Sequence, residues 1–103
     1  MVMKGTVNQG DILRIEKIKN SVLVASKDYF NQTGEIIGCP IYPDGEPGPL
    51  RIKISTNDGD GYVHCEKLAL LDLNSRRFSK TGSIVMPEIM DITDAIQGIF
   101  DYI

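Results

Sequence analysis

"GDILRIEKIKNSVLVAS", Gly10 to Ser26, carries two different hydrophobic rhythms on either side of one short link. Asp11 to Glu16, DILRIE, alternates apolar and polar side chains, the two-residue period of a strand with one buried face. Ser21 to Ser26, SVLVAS, is a short unbroken apolar run, suited to a strand buried on both faces. Only KIKN, Lys17 to Asn20, joins them.

Working outward, KDYFNQTG (Lys27 to Gly34) breaks the pattern and predicts a turn or a single helical turn. EIIGCPIY (Glu35 to Tyr42) resumes as a strand, with Pro40 predicting an edge position or a bulge, since proline cannot donate to a ladder. "CPIYPDGEPGPLRIKI", Cys39 to Ile54, then gathers prolines and glycines between two strands. Such loops run over the surface and often frame a working site, so this one is expected to rim a groove. LRIKIS (Leu50 to Ser55) alternates strictly, NDGDG (Asn57 to Gly61) signals a tight turn, and YVHCEKLALLDL (Tyr62 to Leu73) reads as a strand that runs on past a bend. SRRFSKTGS (Ser75 to Ser83) reads as a polar connection, with Gly82 available for a positive φ.

At the tail the period changes. Ile89, Ile92, Ile96, Ile99 and Ile103 recur at spacings of three and four and paint one helical face. Pro87 suits a first helical position and Glu88 the positive end of the helix dipole. Five or six short strands and one amphipathic helix predict a mainly β fold: a small SH3-like barrel of curled antiparallel sheet, with the C-terminal helix covering one opening.

A chain of 103 residues suits a single domain, taken here as residues 1–103. With 42% apolar and 24% charged residues, the composition is that of an ordinary folded, soluble protein. No apolar run approaches the roughly 20 residues that cross a bilayer, and MVMKGTVNQGD lacks the greasy segment of a secretion signal, so the expected location is cytoplasmic. In that reducing compartment Cys39 and Cys65 read as small buried apolar side chains. The net charge of -3 argues against a dedicated DNA binder, whose affinity comes from neutralising phosphates. It leaves room for a local basic groove, because Lys17, Lys19, Lys27, Arg51, Lys53, Arg76, Arg77 and Lys80 cluster, while the segment from Glu88 onward is acidic.

Several constellations invite chemistry. His64, Cys65 and Glu66 are adjacent, but neighbours on a strand point to opposite faces, and zinc needs about four ligands with no CxxC or HxxxH spacing to supply them; no metal and no cofactor are expected. A Cys–His nucleophile would require Cys39 and His64 to meet across the fold. NDGDG lacks the spaced ligands of a calcium loop, and DGEPGP is a poor polyproline ligand. Arg76 and Arg77 beside Phe78 suit phosphate contacts with a ring to stack a base, although solvated arginines are commoner.

The order of these features carries more than any one of them. GDIL opening the first strand, VLVASKDYFN at the second, CP near the end of the third, then GYVHCEKLALLDLNSRR and KTGSIVMPEIMDITDAIQ together resemble the MazF/PemK family of toxin endoribonucleases, from Gly10 to about Phe100. The resemblance implies an SH3-like barrel that forms a homodimer, cuts single-stranded RNA without a metal, and is held inactive by an antitoxin protein. In the family pattern a loop of the form G-x-E-Q-x-G-x-R-P joins the first two strands, and its arginine serves in proton transfer and charge stabilisation. A threonine or serine after the proline of the third strand completes the site.

This chain departs at both places. The loop shrinks to KIKN, Asn20 falls at the arginine and Ser21 at the proline, and Tyr42 falls at the threonine or serine. Attack by a ribose 2′-hydroxyl on its own 3′-phosphate needs a proton acceptor, a proton donor and cationic groups for the developing charge. The candidates for those tasks are Tyr42, Lys19, Asn20 and His64, with Lys17, Lys27, Arg51, Lys53, Arg76 and Arg77 as RNA-binding residues. The leading expectation is therefore a toxin with endoribonuclease activity that is reduced, altered or lost. Its rival is a non-catalytic barrel dimer gripping a protein, either an antitoxin peptide or a gyrase-like target as in the related CcdB toxins.

Overall fold

The computed structural model describes residues 6–101; Ile103 of the expected helical stripe and the first five residues lie outside them. Along the chain come β1 (Asp11–Ile15), β2 (Val22–Val24), α1 (Asp28–Asn31), β3 (Glu35–Tyr42), β4 (Arg51–Thr56), β5 (Gly59–His64), β6 (Ala69–Asp72), β7 (Phe78–Ser83) and α2 (Met86–Phe100). The strands form one curled antiparallel sheet in the order β4-β5-β3-β2-β1-β7, with β6 also on β3.

The two rhythms of the opening stretch have a direct structural cause. Ile12 of β1 and Leu23 of β2 enter one apolar cluster with Cys39, Val63 and Ile92, whereas Leu13, Ile15, Val22 and Val24 enter a second with Ile36 and Leu73. Strand β2 is thus covered on both faces, and all three of its residues are buried. In β1 the pattern leaves only Arg14 exposed.

Helix α2 closes the first cluster through Ile92, which is fully buried, and through Ile89, Ala95 and Ile96 beside it. Burying one such side chain contributes about 1.5–3 kcal/mol. The stripe ends sooner than its periodicity suggests, for Ile99 is 40% exposed. Pro87 is the second helical residue, one position later than expected, and the Glu88 carboxylate accepts the Val85 N–H at 3.2 Å. At Gly10, φ is +92°, and a Cβ there would lie 2.6 Å from Ile89 Cδ1. Its N–H donates to the Val24 carbonyl and its carbonyl accepts the Ile84 N–H, so this glycine ties β2 to the approach of α2.

Four expectations change. Pro40 lies in a central strand: β3 pairs with β2 along one side and with β6 and then β5 along the other. Because the Ile41 N–H donates toward β2, to Ser21, alternation turns the Pro40 nitrogen to the other side. There the β6 ladder has ended at Gly38 and the β5 ladder begins at Ile41, so the missing donor falls in a break. Residues 78–83, expected as connection, form β7 on β1, with a register shift between Ile12 and Leu13. Gly82 is not among the positive-φ residues; it sits within that strand. Seven strands, rather than five or six, are present among the described residues.

The end strands β4 and β7 share no ladder. They approach through a side chain: Asn57 Nδ2, in the β4–β5 turn, donates to the Thr81 carbonyl of β7 at 2.6 Å. The sheet is a half-barrel with an open seam.

Candidate functional site

A groove of about 460 Å³ lies along that seam. Ile12 and Ile41 contribute apolar lining; Arg14, Lys19, Asn20 and Ser21 come from β1 and the β1–β2 turn, Tyr42 and Pro43 from the end of β3, and Thr56, Asn57, Asp58 and Asp60 from the β4–β5 hairpin. Three of the four expected catalytic positions, Lys19, Asn20 and Tyr42, share this cavity. Of residues 43–50, between β3 and β4, only Pro43 lines it.

The short turn sets the left wall. Lys17 adopts φ 66°, the sole non-glycine positive φ among the described residues, which lets four residues reverse the chain. Asn20 Nδ2 then donates to the Ile41 carbonyl at 3.1 Å, fastening the turn to the end of β3 next to Tyr42. The Asn20 amide is thereby engaged in holding the site together. Arg14 Nη1 donates to the Lys19 carbonyl at 3.2 Å, fixing the same turn from the β1 side.

Tyr42 is half-buried, and its ring is held from behind. The His64 ring lies 4.1 Å away between centroids at 36°, and the Lys67 ammonium sits 4.9 Å from the Tyr42 centroid while donating to its hydroxyl at 3.2 Å. His64 itself is not among the residues lining the groove; it backs Tyr42. Burial first, then the Arg51 charge and, more weakly, that of Lys67, push its pKa below the ordinary 6.5, against an opposing pull from Glu66 that is weaker than the effect of Arg51. At neutral pH it is an uncharged support.

The neighbouring thiols are set apart from this chemistry. Cys39 and Cys65 are free and fully buried. Burial pushes the Cys39 thiol up to about 12 and that of Cys65 to about 11, so neither is a thiolate at neutral pH. Glu66 pairs with Arg51. Cys65 therefore faces the core, while His64 and Glu66 lie outside it, both near Arg51.

The expected RNA-binding cations separate into two groups. On β4, Arg51 is paired with Glu66, and Lys53 with Asp60 at 3.3 Å. On the other side of the groove, Lys17 and Arg77 line a shallower depression together with Arg14, which belongs to both cavities. Arg76 donates to the Glu16 carbonyl at 3.3 Å beside them. Lys27 stands apart at the start of α1, where its carbonyl accepts the N–H groups of Phe30 and Asn31. Lys80, also in the basic cluster, pairs with the buried Asp11 at 3.1 Å. The groove thus has a cationic wall of Arg14 and Lys19 facing an acidic one of Asp58 and Asp60.

Arg14 was not singled out from the sequence, where it reads as the solvated member of an alternating strand. The usable signal was its place: the one polar residue between the buried Leu13 and Ile15, on the strand that leads into the β1–β2 turn.

Residues 9–100 match a family described as PemK-like, MazF-like toxin of type II toxin-antitoxin system. Among solved structures, the fold is similar to that of a MazE–MazF complex from Deinococcus radiodurans, with TM-score 0.83 at 17% identity over 94% of this chain and 98% of that one. It is similar too to an endoribonuclease from Mycobacterial species, with TM-score 0.79 at 14% identity, covering 93% of this chain and 92% of the other. A further similar structure is an endoribonuclease in complex with its cognate antitoxin, again from Mycobacterial species, with TM-score 0.78 at 14% identity over 91% and 94% of the two chains. No curated protein matches the chain by sequence.

Proposed function

The chain belongs to the PemK-like, MazF-like toxins of type II toxin-antitoxin systems, and from that premise we propose that it is an endoribonuclease acting on single-stranded RNA without a metal. The observation that carries this is the convergence of Lys19, Asn20 and Tyr42 on one groove; in this reading Asn20 and Tyr42 take the places of the family's arginine and of its threonine or serine. A strand of RNA lies along the seam with its backbone toward the cationic wall, where phosphates are attracted, and its base edges toward Asn57 and Asp58, which present amide and carboxylate hydrogen-bonding groups. The acidic wall disfavours the opposite orientation by charge repulsion.

In the reaction the ribose 2′-oxygen attacks the adjacent phosphorus and the bond to the 5′-oxygen breaks. The 2′ proton leaves to an acceptor and the 5′-oxygen gains a proton, giving a 2′,3′-cyclic phosphate and a 5′-hydroxyl. The Tyr42 hydroxyl exchanges a proton at the phosphate, Lys19 supplies positive charge, Asn20 holds the turn against β3, and His64 holds the Tyr42 ring. Lys17, Arg76 and Arg77 extend the phosphate track beyond the cut.

A single incubation tests this. Purified protein and a long unstructured RNA are combined in EDTA, and new ends are mapped. Cuts at preferred sites with cyclic phosphate termini support the proposal. Intact RNA across pH and protein concentration favours the rival reading of a barrel that binds only a protein, for which the departures at Asn20 and Tyr42 are the specific motive.

The proposed partner is an antitoxin protein, and the proposed assembly a homodimer. Val85, Met86, Met90 and Phe100 leave a run of apolar side chains exposed on and beside α2, surface that a protein contact would cover. Light scattering at micromolar concentration should return twice the chain mass, and a monomer mass would contradict the dimer.

A further inference from the structure

We propose that Arg14, on β1, is a catalytic residue of this site: its guanidinium grips the scissile phosphate and stabilises the charge that builds on it, in place of the loop arginine that Asn20 replaces. The inference rests on the ribonuclease reading above and adds a contact that neither the sequence pattern nor the family's loop motif assigns. Four observations converge on it. Arg14 lines the same groove as Lys19, Asn20 and Tyr42, and it lines the adjoining depression with Lys17 and Arg77, so it stands where the two cavities meet.

It is the one exposed side chain of a strand whose other residues are buried, and its backbone is held by the ladder to β7, with Ser79 opposite, one residue beyond the end of the β2 ladder at Leu13. Among the described residues no carboxylate lies within ion-pair distance of it, unlike Arg51 with Glu66, Lys53 with Asp60 and Lys80 with Asp11. Its hydrogen bond from Nη1 to the Lys19 carbonyl aims the fork along the turn and leaves the remaining N–H donors available.

The chemistry favours arginine over the alternatives at hand. A guanidinium presents parallel N–H groups that match two phosphate oxygens, keeps its charge at every relevant pH, and is already oriented before substrate arrives. Lys19 offers a point charge on a flexible stem, and the Asn20 amide is occupied by the Ile41 carbonyl. During the step described above, Arg14 donates two hydrogen bonds to the non-bridging oxygens and stays protonated throughout; the proton leaving the 2′-oxygen and the one reaching the 5′-oxygen pass through other groups, and no further reactant is consumed.

The test uses Arg14→Ala, Arg14→Lys and the wild type on one oligoribonucleotide in EDTA under single-turnover conditions, with binding measured on the same strand carrying a 2′-deoxyribose at the cut. The saturating cleavage rate should fall about 100-fold or more in both variants, while binding of the uncleavable strand weakens far less. Millimolar guanidinium ion should restore part of the rate to Arg14→Ala, and none to Tyr42→Phe. Should Arg14→Ala unfold, Arg14→Lys, which keeps the apolar stem and the charge, carries the test, with melting curves alongside. A wild-type rate in Arg14→Lys, or a loss in Arg14→Ala that saturating protein abolishes, overturns the role of Arg14 and leaves the ribonuclease reading standing. An inert wild type sinks both.

Discussion

Two sets of cations flank the groove, and the sequence presents them alike. LRIKIS carries Arg51 and Lys53 on an alternating strand, and DILRIEKIK carries Arg14, Lys17 and Lys19 on another and its turn. In the fold, the β4 pair meets carboxylates from its own hairpin and its continuation: Lys53 meets Asp60, two residues before its ladder partner Tyr62, and Arg51 meets Glu66, two residues beyond its partner His64. The β1 set meets backbone carbonyls and an open cavity instead. The lesson is that basic residues keep their charge open to a ligand where no carboxylate comes within pairing distance, even though Asp58, Asp60 and Glu16 line the same cavities. A count of lysines and arginines cannot make that distinction; the ladder register does.

The sharpest way to break this comparison is to remove the side chain on which the open wall acts. Tyr42→Phe should lower the cleavage rate about 100-fold, the scale of a lost proton-transfer group, with an unchanged melting temperature; cutting at the wild-type rate would dissociate the cationic wall from any chemistry. Next in size, Lys17→Ala and Arg77→Ala should each weaken RNA binding at low salt and flatten the dependence of log affinity on log salt by about 0.7 per lost contact. Arg51→Ala and Lys53→Ala should leave that slope alone. Equal slopes in all four variants would erase the difference between the two sets.

A smaller effect sharpens the other side. Exposed ion pairs contribute about 0–1 kcal/mol, so Arg51→Ala should shift the urea midpoint slightly without touching cleavage. The smallest expected effect concerns His64. Its folded pKa lies below the 6.5 of the unfolded imidazole, so between those values the unfolded chain binds the extra proton. Stability from this group is complete above about pH 6.5 and is lost as pH falls through the lowered pKa. The urea midpoint should drop between pH 7.5 and pH 5.5, and less so in His64→Gln; identical drops would show that the ring behind Tyr42 is freely solvated.

Much of the framework was legible because burial leaves a period in the chain. The alternation of DILRIE, the unbroken VLV of β2 and the three-four spacing of Ile89, Ile92 and Ile96 each mark the number of covered faces. Strand β7 was not legible, since FSKTGS has almost no apolar face and is held chiefly by its ladder to β1. Pro40 misled for a related reason: a proline rules out a donor, and the sequence does not reveal that β3 has a gap between two partners at that point. At the groove, Lys19, Asn20 and Tyr42 stand out in the sequence only against a family pattern. Arg14 does not stand out there, because its strand position reads as ordinary solvent exposure until the β4–β5 hairpin supplies the groove's other wall.

The central claim is that RNA occupies the seam along its unpaired cationic wall. The most direct measurement is an NMR titration of the labelled protein with a short oligoribonucleotide made uncleavable by 2′-deoxy substitution, following arginine side-chain and backbone N–H signals. The account predicts the largest shifts at Arg14, Lys19, Asn20 and Tyr42, extending to Lys17 and Arg77, with Arg51 and Lys53 nearly still. Shifts centred on β4, or none at all at saturating RNA, would contradict it.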